Sequence, residues 1–112
     1  MAHSLRSGEL NRRITIQQRA TSTDSYGQQA TTWADVLSCW AAIEPLDGRE
    51  LLLAQAINAE VTHRLTVRYR TGITAAMRAT YQGRLFNIHA VLDPDTAHVA
   101  LQLLCSEGLN QG

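Results

Sequence analysis

The sequence predicts a mainly β fold: a small antiparallel barrel of about six strands, with one short inserted α-helix and a long loop after the first strand. Three observations carry this. Across Glu60 to Arg70 (EVTHRLTVRYR) every second residue is bulky or apolar, namely Val61, His63, Leu65, Val67 and Tyr69, while Thr62, Arg64, Thr66, Arg68 and Arg70 intervene. Only a half-buried strand has that period of two. A second strand pair is signalled by YQGRLF at Tyr81 to Phe86, where Gln82-Gly83 forms a two-residue connection, weaker than Asn-Gly for a primed turn. Finally, Asp47-Gly48-Arg49-Glu50 has the D-x-x-E form of a capping box at the start of GRELLLAQAIN.

In chain order, Leu10 to Gln18 reads as the first strand, with Leu10, Ile14 and Ile16 on one side and Arg13, Thr15 and Gln17 on the other. Residues 19–32 are rich in Ser, Thr, Gln and Asp around Tyr26-Gly27, which reads as a long loop or an extended hairpin tip and a candidate docking arm. From Trp33 to Leu46 the alternation resumes: Leu37, Cys39, Ala41 and Ile43 oppose Val36, Ser38, Trp40, Ala42 and Glu44, and Pro45 ends the strand. The helix is expected from Gly48 to about Asn58, capped by Asp47 with Glu50 reaching back, and stapled by Leu46 against Leu51. Beyond the Thr71-Gly72 turn, Met77 to Tyr81 alternates, and Arg84 to Leu92 places Phe86, Ile88, Ala90 and Leu92 on one face. Asp93-Pro94-Asp95 breaks the chain, and His98 to Cys105 is the last strand, through Val99, Leu101, Leu103 and Cys105. Closure of such a sheet removes its adhesive edges. The 112 residues are expected to form a single domain with flexible tails at 1–8 and 108–112.

Composition narrows the function classes. Ten acidic residues balance ten basic ones, so no overall field draws the chain onto nucleic acid or an anionic membrane. All ten basic residues are arginine, the cation suited to bidentate and interface contacts, although a coding bias produces the same pattern. No run approaches the roughly 20 apolar residues of a membrane span. Cys39 and Cys105 lack CxxC spacing and read as small buried hydrophobes. The four histidines and two cysteines show no zinc-ligand spacing. His63 reads as a hydrogen-bonded core or interface histidine and His89 as a solvated one. Glu44, Asp47 and Glu50 cluster, but capping accounts for the last two, and no catalytic constellation, cofactor or metal is expected. An arginine-bearing strand on a small barrel leaves nucleic-acid binding as the alternative, which calls for aromatic platforms. Tyr69 falls on the opposite face from the arginines.

Taken together, several segments resemble the head-to-tail joining proteins of long-tailed bacteriophages, also called head-completion or stopper proteins, with relatives in prophages and gene transfer agents. These are GELNRRITI (Gly8 to Ile16), DSYG (Asp24 to Gly27), Trp33, WAAIEPLDGRE (Trp40 to Glu50), Ala54, Ala59, Thr62-His63, VRYRTGI (Val67 to Ile73) and YQGRLFNI (Tyr81 to Ile88). Their order and spacing carry the likeness, from Gly8 to Glu107. The resemblance implies a non-enzymatic β-barrel made in the bacterial cytoplasm and built into a phage or phage-like particle. It implies a homo-oligomeric ring, hexameric or alternatively dodecameric, with a portal-adaptor protein above and a tail terminator or tail completion protein below. The ring would help retain DNA that passes through its channel without sequence-specific binding. Arg64, Arg68, Arg70, Tyr26 and Trp33 are then the candidates for subunit or neighbour-ring contacts, and Asp47, Arg49, Glu50, Gln55 and Asn58 for the loop-and-helix region near the channel.

Overall fold

The computed structural model describes residues 10–23, 26–27 and 29–108. The terminal tails lie outside the described residues except Gly108, which is not frayed: it ends the last strand and pairs with Leu85.

Among the described residues, six strands close into an antiparallel barrel in the order β1-β2-β3-β6-β5-β4. They are β1 (Arg12–Thr23), β2 (Gln29–Pro45), β3 (His63–Arg68), β4 (Arg78–Tyr81), β5 (Arg84–Leu92) and β6 (Ala100–Gly108), with one helix, α1 (Gly48–Ile57), between β2 and β3. A short 3₁₀ turn at Pro94–Thr96 precedes β6. The inward sets of the alternating strands meet in one core. Ile14 and Ile16 from β1, Ala41 from β2, Leu65 and Val67 from β3, Ala79 from β4, Phe86 and Ile88 from β5, and Leu101, Leu103 and Cys105 from β6 are buried together. Burying the Ile, Leu, Val and Phe side chains of this set, at roughly 1.5–3 kcal/mol each, is the main force that closes the barrel.

Of the two readings of residues 19–32, the hairpin holds rather than the loop. β1 and β2 stay paired from Arg19↔Trp33 out to Thr23↔Gln29, so the strands project as an arm. The segment carries no apolar alternation, the signal that marks a half-buried strand, which is why its sequence resembles a loop. The Gln82-Gly83 connection is a two-residue hairpin between Tyr81 and Arg84. Its φ values, +48° and +82°, are both left-handed, as a type I′ turn requires.

Three expectations need correction. A register shift between Ile88 and Ala90 inverts the faces of β5, so Val91 packs on the barrel core while Ala90 joins a second cluster outside it and Leu92 is exposed. His89, the extra residue of that bulge, is not solvated: its side chain is 17% exposed, and Nε2 lies 2.7 Å from the Ser106 hydroxyl. The strand predicted over Glu60 to Arg70 is confined to His63–Arg68; Val61 packs under the helix, and Tyr69 leaves the core to lie against His98, ring centroids 4.4 Å apart.

The helix starts where expected, but the capping box does not form. Asp47 is extended and makes no side-chain cap hydrogen bond, while Gly48 takes φ +52°. Glycine, without a Cβ, takes that left-handed conformation readily, so the chain enters the helix through its backbone. Glu50 reaches instead toward Arg64, 3.8 Å away. The staple does form, with Leu46 and Leu51 in the cluster of Ala54, Val61, Leu104 and Ala90 that seats α1 on the outside of β5 and β6.

Candidate functional site

The polar faces of β1, β2 and β3 meet on the outside of the barrel, where pairing sets which side chains adjoin. Arg13 opposes Trp40 across β1 and β2, and Ala41 opposes Val67 across β2 and β3. Arg68 follows Val67 and Trp40 precedes Ala41, so both turn outward beside each other. Together with Leu10, Ser38, Cys39 and Arg70, these residues line a cleft of about 540 Å³. The Arg13 guanidinium lies 5.4 Å from the centroid of the Trp40 ring, and the indole is 52% exposed, so the cleft has a flat apolar wall beneath its cations. No carboxylate among the described residues forms an ion pair with Arg13, Arg68 or Arg70. The cleft is therefore suited to anionic groups attached to an apolar surface. Cys39 contributes a thiol whose pKa is raised by burial, an effect opposed by Arg70 and Arg13.

The structure separates the arginines expected to act together. Arg64 belongs to a different neighbourhood, with Nη2 3.4 Å from Glu44 and 3.8 Å from Glu50 and its Nε buried without a hydrogen-bond partner. It ties the helix start to β2 and β3, while Arg68 and Arg70 stand in the cleft. Arg13 and Trp40 are the residues of this site that sequence reasoning missed. Each sat on the correct outward face, but only strand register brings them beside Arg68.

Trp33 is held within the molecule, between Arg78, 4.2 Å from its ring centroid, and Arg19, 5.4 Å away. Arg78 Nε also donates to Gln17 Oε1 at 2.8 Å, and Gln17 Nε2 donates to Asp35 at 2.8 Å. This polar ladder stiffens the base of the arm. Tyr26 stands at the arm's turn, 88% exposed.

Among the helix candidates, Gln55 and Asn58 have structural duties. Gln55 Nε2 donates to the Val61 carbonyl at 3.1 Å, and the Asn58 side-chain oxygen accepts from the Glu60 N–H at 2.9 Å, so both shape the turn from α1 into β3. Asp47, Arg49 and Glu50 are exposed. On the same helix Leu52, Leu53 and Ile57 are 70%, 60% and 57% exposed, an apolar face left open among the described residues. Among the described residues, no group of three or more His, Cys, Asp or Glu side chains is placed to hold a metal ion.

Comparison with known proteins places this architecture among relatives. The sequence pattern of a family described as phage head completion protein matches residues 5–108. Head completion protein gp7 of Enterobacteria phage HK97 is 28% identical over 106 residues, covering 90% of this chain and 95% of that protein. Among solved structures, protein SF1141 from Shigella flexneri 2a is 33% identical with a TM-score of 0.77, covering 96% of this chain and 100% of that one. A chain in the virion of a native gene transfer agent particle shares the fold at 19% identity and a TM-score of 0.61, covering 91% of this chain and 97% of that one.

Proposed function

The chain belongs to the phage head completion protein family, and from that premise we propose that it forms a ring that closes the DNA-filled head and carries the tail. It is a structural component of the particle, and its work is mechanical and steric rather than catalytic. The carrying observation is the family match over residues 5–108, which spans all six strands and the helix.

In this reading the ring seats between a portal-adaptor protein and a tail completion or terminator protein, with DNA in its channel. Balanced charge suits a conduit: a strongly basic lumen would release counterions, grip the duplex and oppose its later exit. The β1–β2 arm, with Tyr26 at its turn, reaches a neighbouring ring. Arg64 holds the helix against the barrel, and Arg68 and Arg70 serve contacts between subunits. Asp47, Arg49 and Glu50 are the helix residues left to face the channel or a neighbour. Each copy acts as a single domain without a cofactor.

Deleting the gene in cells that make the particles tests the reading. Electron microscopy should show DNA-containing or leaky heads beside separate tails, because head filling and tail assembly proceed independently and only the joint is missing. Normal tailed particles in the deletion strain would overturn it.

A further inference from the structure

Two surfaces of this chain complement each other but lie apart. The first is the cleft over β1, β2 and β3, with the half-exposed Trp40 indole among Arg13, Arg68 and Arg70. The second is the outer face of α1. With Ala54 and Leu51 turned to the barrel, helical geometry points Leu52, Leu53 and Ile57 outward. Asp47 and Glu50 at the start of the helix, Glu60 beyond its end, and Arg49 between the first two are exposed; Glu50 also reaches Arg64, and Glu60 reaches His89.

We propose that the α1 face of one copy seats in the Arg13–Trp40–Arg68–Arg70 cleft of the next. Leu53 and its neighbours cover the indole, and the carboxylates at the helix ends meet guanidiniums that have no ion pair among the described residues. The contact rests on the ring reading above and names the two surfaces that build the ring. The apolar centre supplies affinity and the charged border sets register and partner choice. Placement supports a head-to-tail arrangement. The cleft is centred on β2, while α1 packs over β6 and β5, two and three strands further round the barrel. The surfaces do not overlap, so one copy engages a neighbour on each side at once, and such heterologous contacts form a ring when the rotation between successive copies closes. One contact made by a single short helix falls below the roughly 1,200 Å² of stable pairs, so closure of the ring or a neighbouring ring reinforces it.

Cross-linking tests the pairing directly. In a Cys39→Ser background, Ser38→Cys at the cleft, which leaves the Trp40 indole in place, and Leu53→Cys are introduced singly and together, and the concentrated protein is treated with a short bismaleimide. The double variant should give a ladder beyond the dimer, the two single variants mixed should stop at the dimer, and each single variant alone should stay monomeric. Self-association measured by sedimentation should weaken about tenfold in Arg68→Glu, with the circular dichroism of the barrel unchanged. Dimers from Leu53→Cys alone would mean helix-on-helix pairing and overturn the proposal, as would absence of a ladder from the double variant. Labelled DNA bound tightly by the wild-type protein and released by Arg68→Glu would assign the cleft to nucleic acid and also overturn it. The two readings fail separately: a missing ladder alongside tailless particles on deletion rejects this interface and keeps the connector, whereas normal particles on deletion reject the connector even where the ladder forms.

Discussion

The Arg78 guanidinium lies 4.2 Å from the centroid of the Trp33 ring, joining the shortest strand of the barrel to the base of its longest hairpin. Arg19 approaches the same ring at 5.4 Å. Trp33→Ala removes both contacts at roughly 0.5–2 kcal/mol each, and the loss falls on the arm rather than the core. Hydrogen exchange should accelerate at arm amides in 18–23 and 29–34 while Leu65, Phe86 and Leu103 keep their protection. Equal acceleration across the barrel would show that Trp33 is part of the global fold.

Helix entry depends on backbone conformation more than on a capping side chain. Asp47 makes no cap hydrogen bond, so Asp47→Ala should change stability by less than about 0.5 kcal/mol. Gly48→Ala must place a Cβ at φ +52° and should cost about 1–2 kcal/mol. Urea unfolding of the two variants checks the order, and a larger loss from Asp47→Ala would restore the capping role.

Stability should fall on acidification, in two windows. His63 packs edge-on against Phe86, ring centroids 5.3 Å apart, and burial lowers its pKa from 6.5, outweighing the opposing pull of Glu107. The hydrogen bonds from Arg84 lower the pKa of Glu107 from 4.5. Both folded values are depressed, so both contributions are complete above the unfolded values. The His63 contribution is lost as pH falls below 6.5, and that of Glu107 below 4.5. His63→Gln should flatten urea midpoints between about pH 7 and pH 5 while leaving the more acidic loss in place. An unchanged slope in the upper window would exclude His63 as its source.

The two thiols should react in a set order. Cys105 is fully buried, its pKa pushed up to about 12, whereas Cys39 is partly buried at the cleft. A maleimide at mildly alkaline pH should modify Cys39 slowly in the native protein and Cys105 only on unfolding. Native-state labelling of Cys105 ahead of Cys39 would contradict the packing of β6.

Much of this molecule is visible in local sequence pattern. The inward sets of β1, β2 and β3, the helix span and the Gln82-Gly83 hairpin are set by alternation, helix length and turn chemistry, which act over a few residues. The family likeness was legible for the same reason, through short segments in a fixed order. The bulge at His89 was not legible, because Ala90, Val91 and Leu92 are all apolar and either phase reads as a buried face. The arm was hidden because residues 19–32 are rich in Ser, Thr, Gln and Asp and show no apolar alternation.

What the tertiary structure alone decided is which residues from distant segments stand together. The pairings β1–β4 and β3–β6 join strands far apart in the chain, and no periodicity encodes a partner. Register therefore gave Arg68 the company of Arg13 and Trp40 and left Arg64 to Glu44 and Glu50. The sequence determined by itself that Arg64 and Arg68 share the polar face of one strand, with Arg70 just beyond the strand's end; the closed barrel assigned Arg64 to hold the helix and the other two to a cleft, because side-chain direction is local and neighbourhood is not.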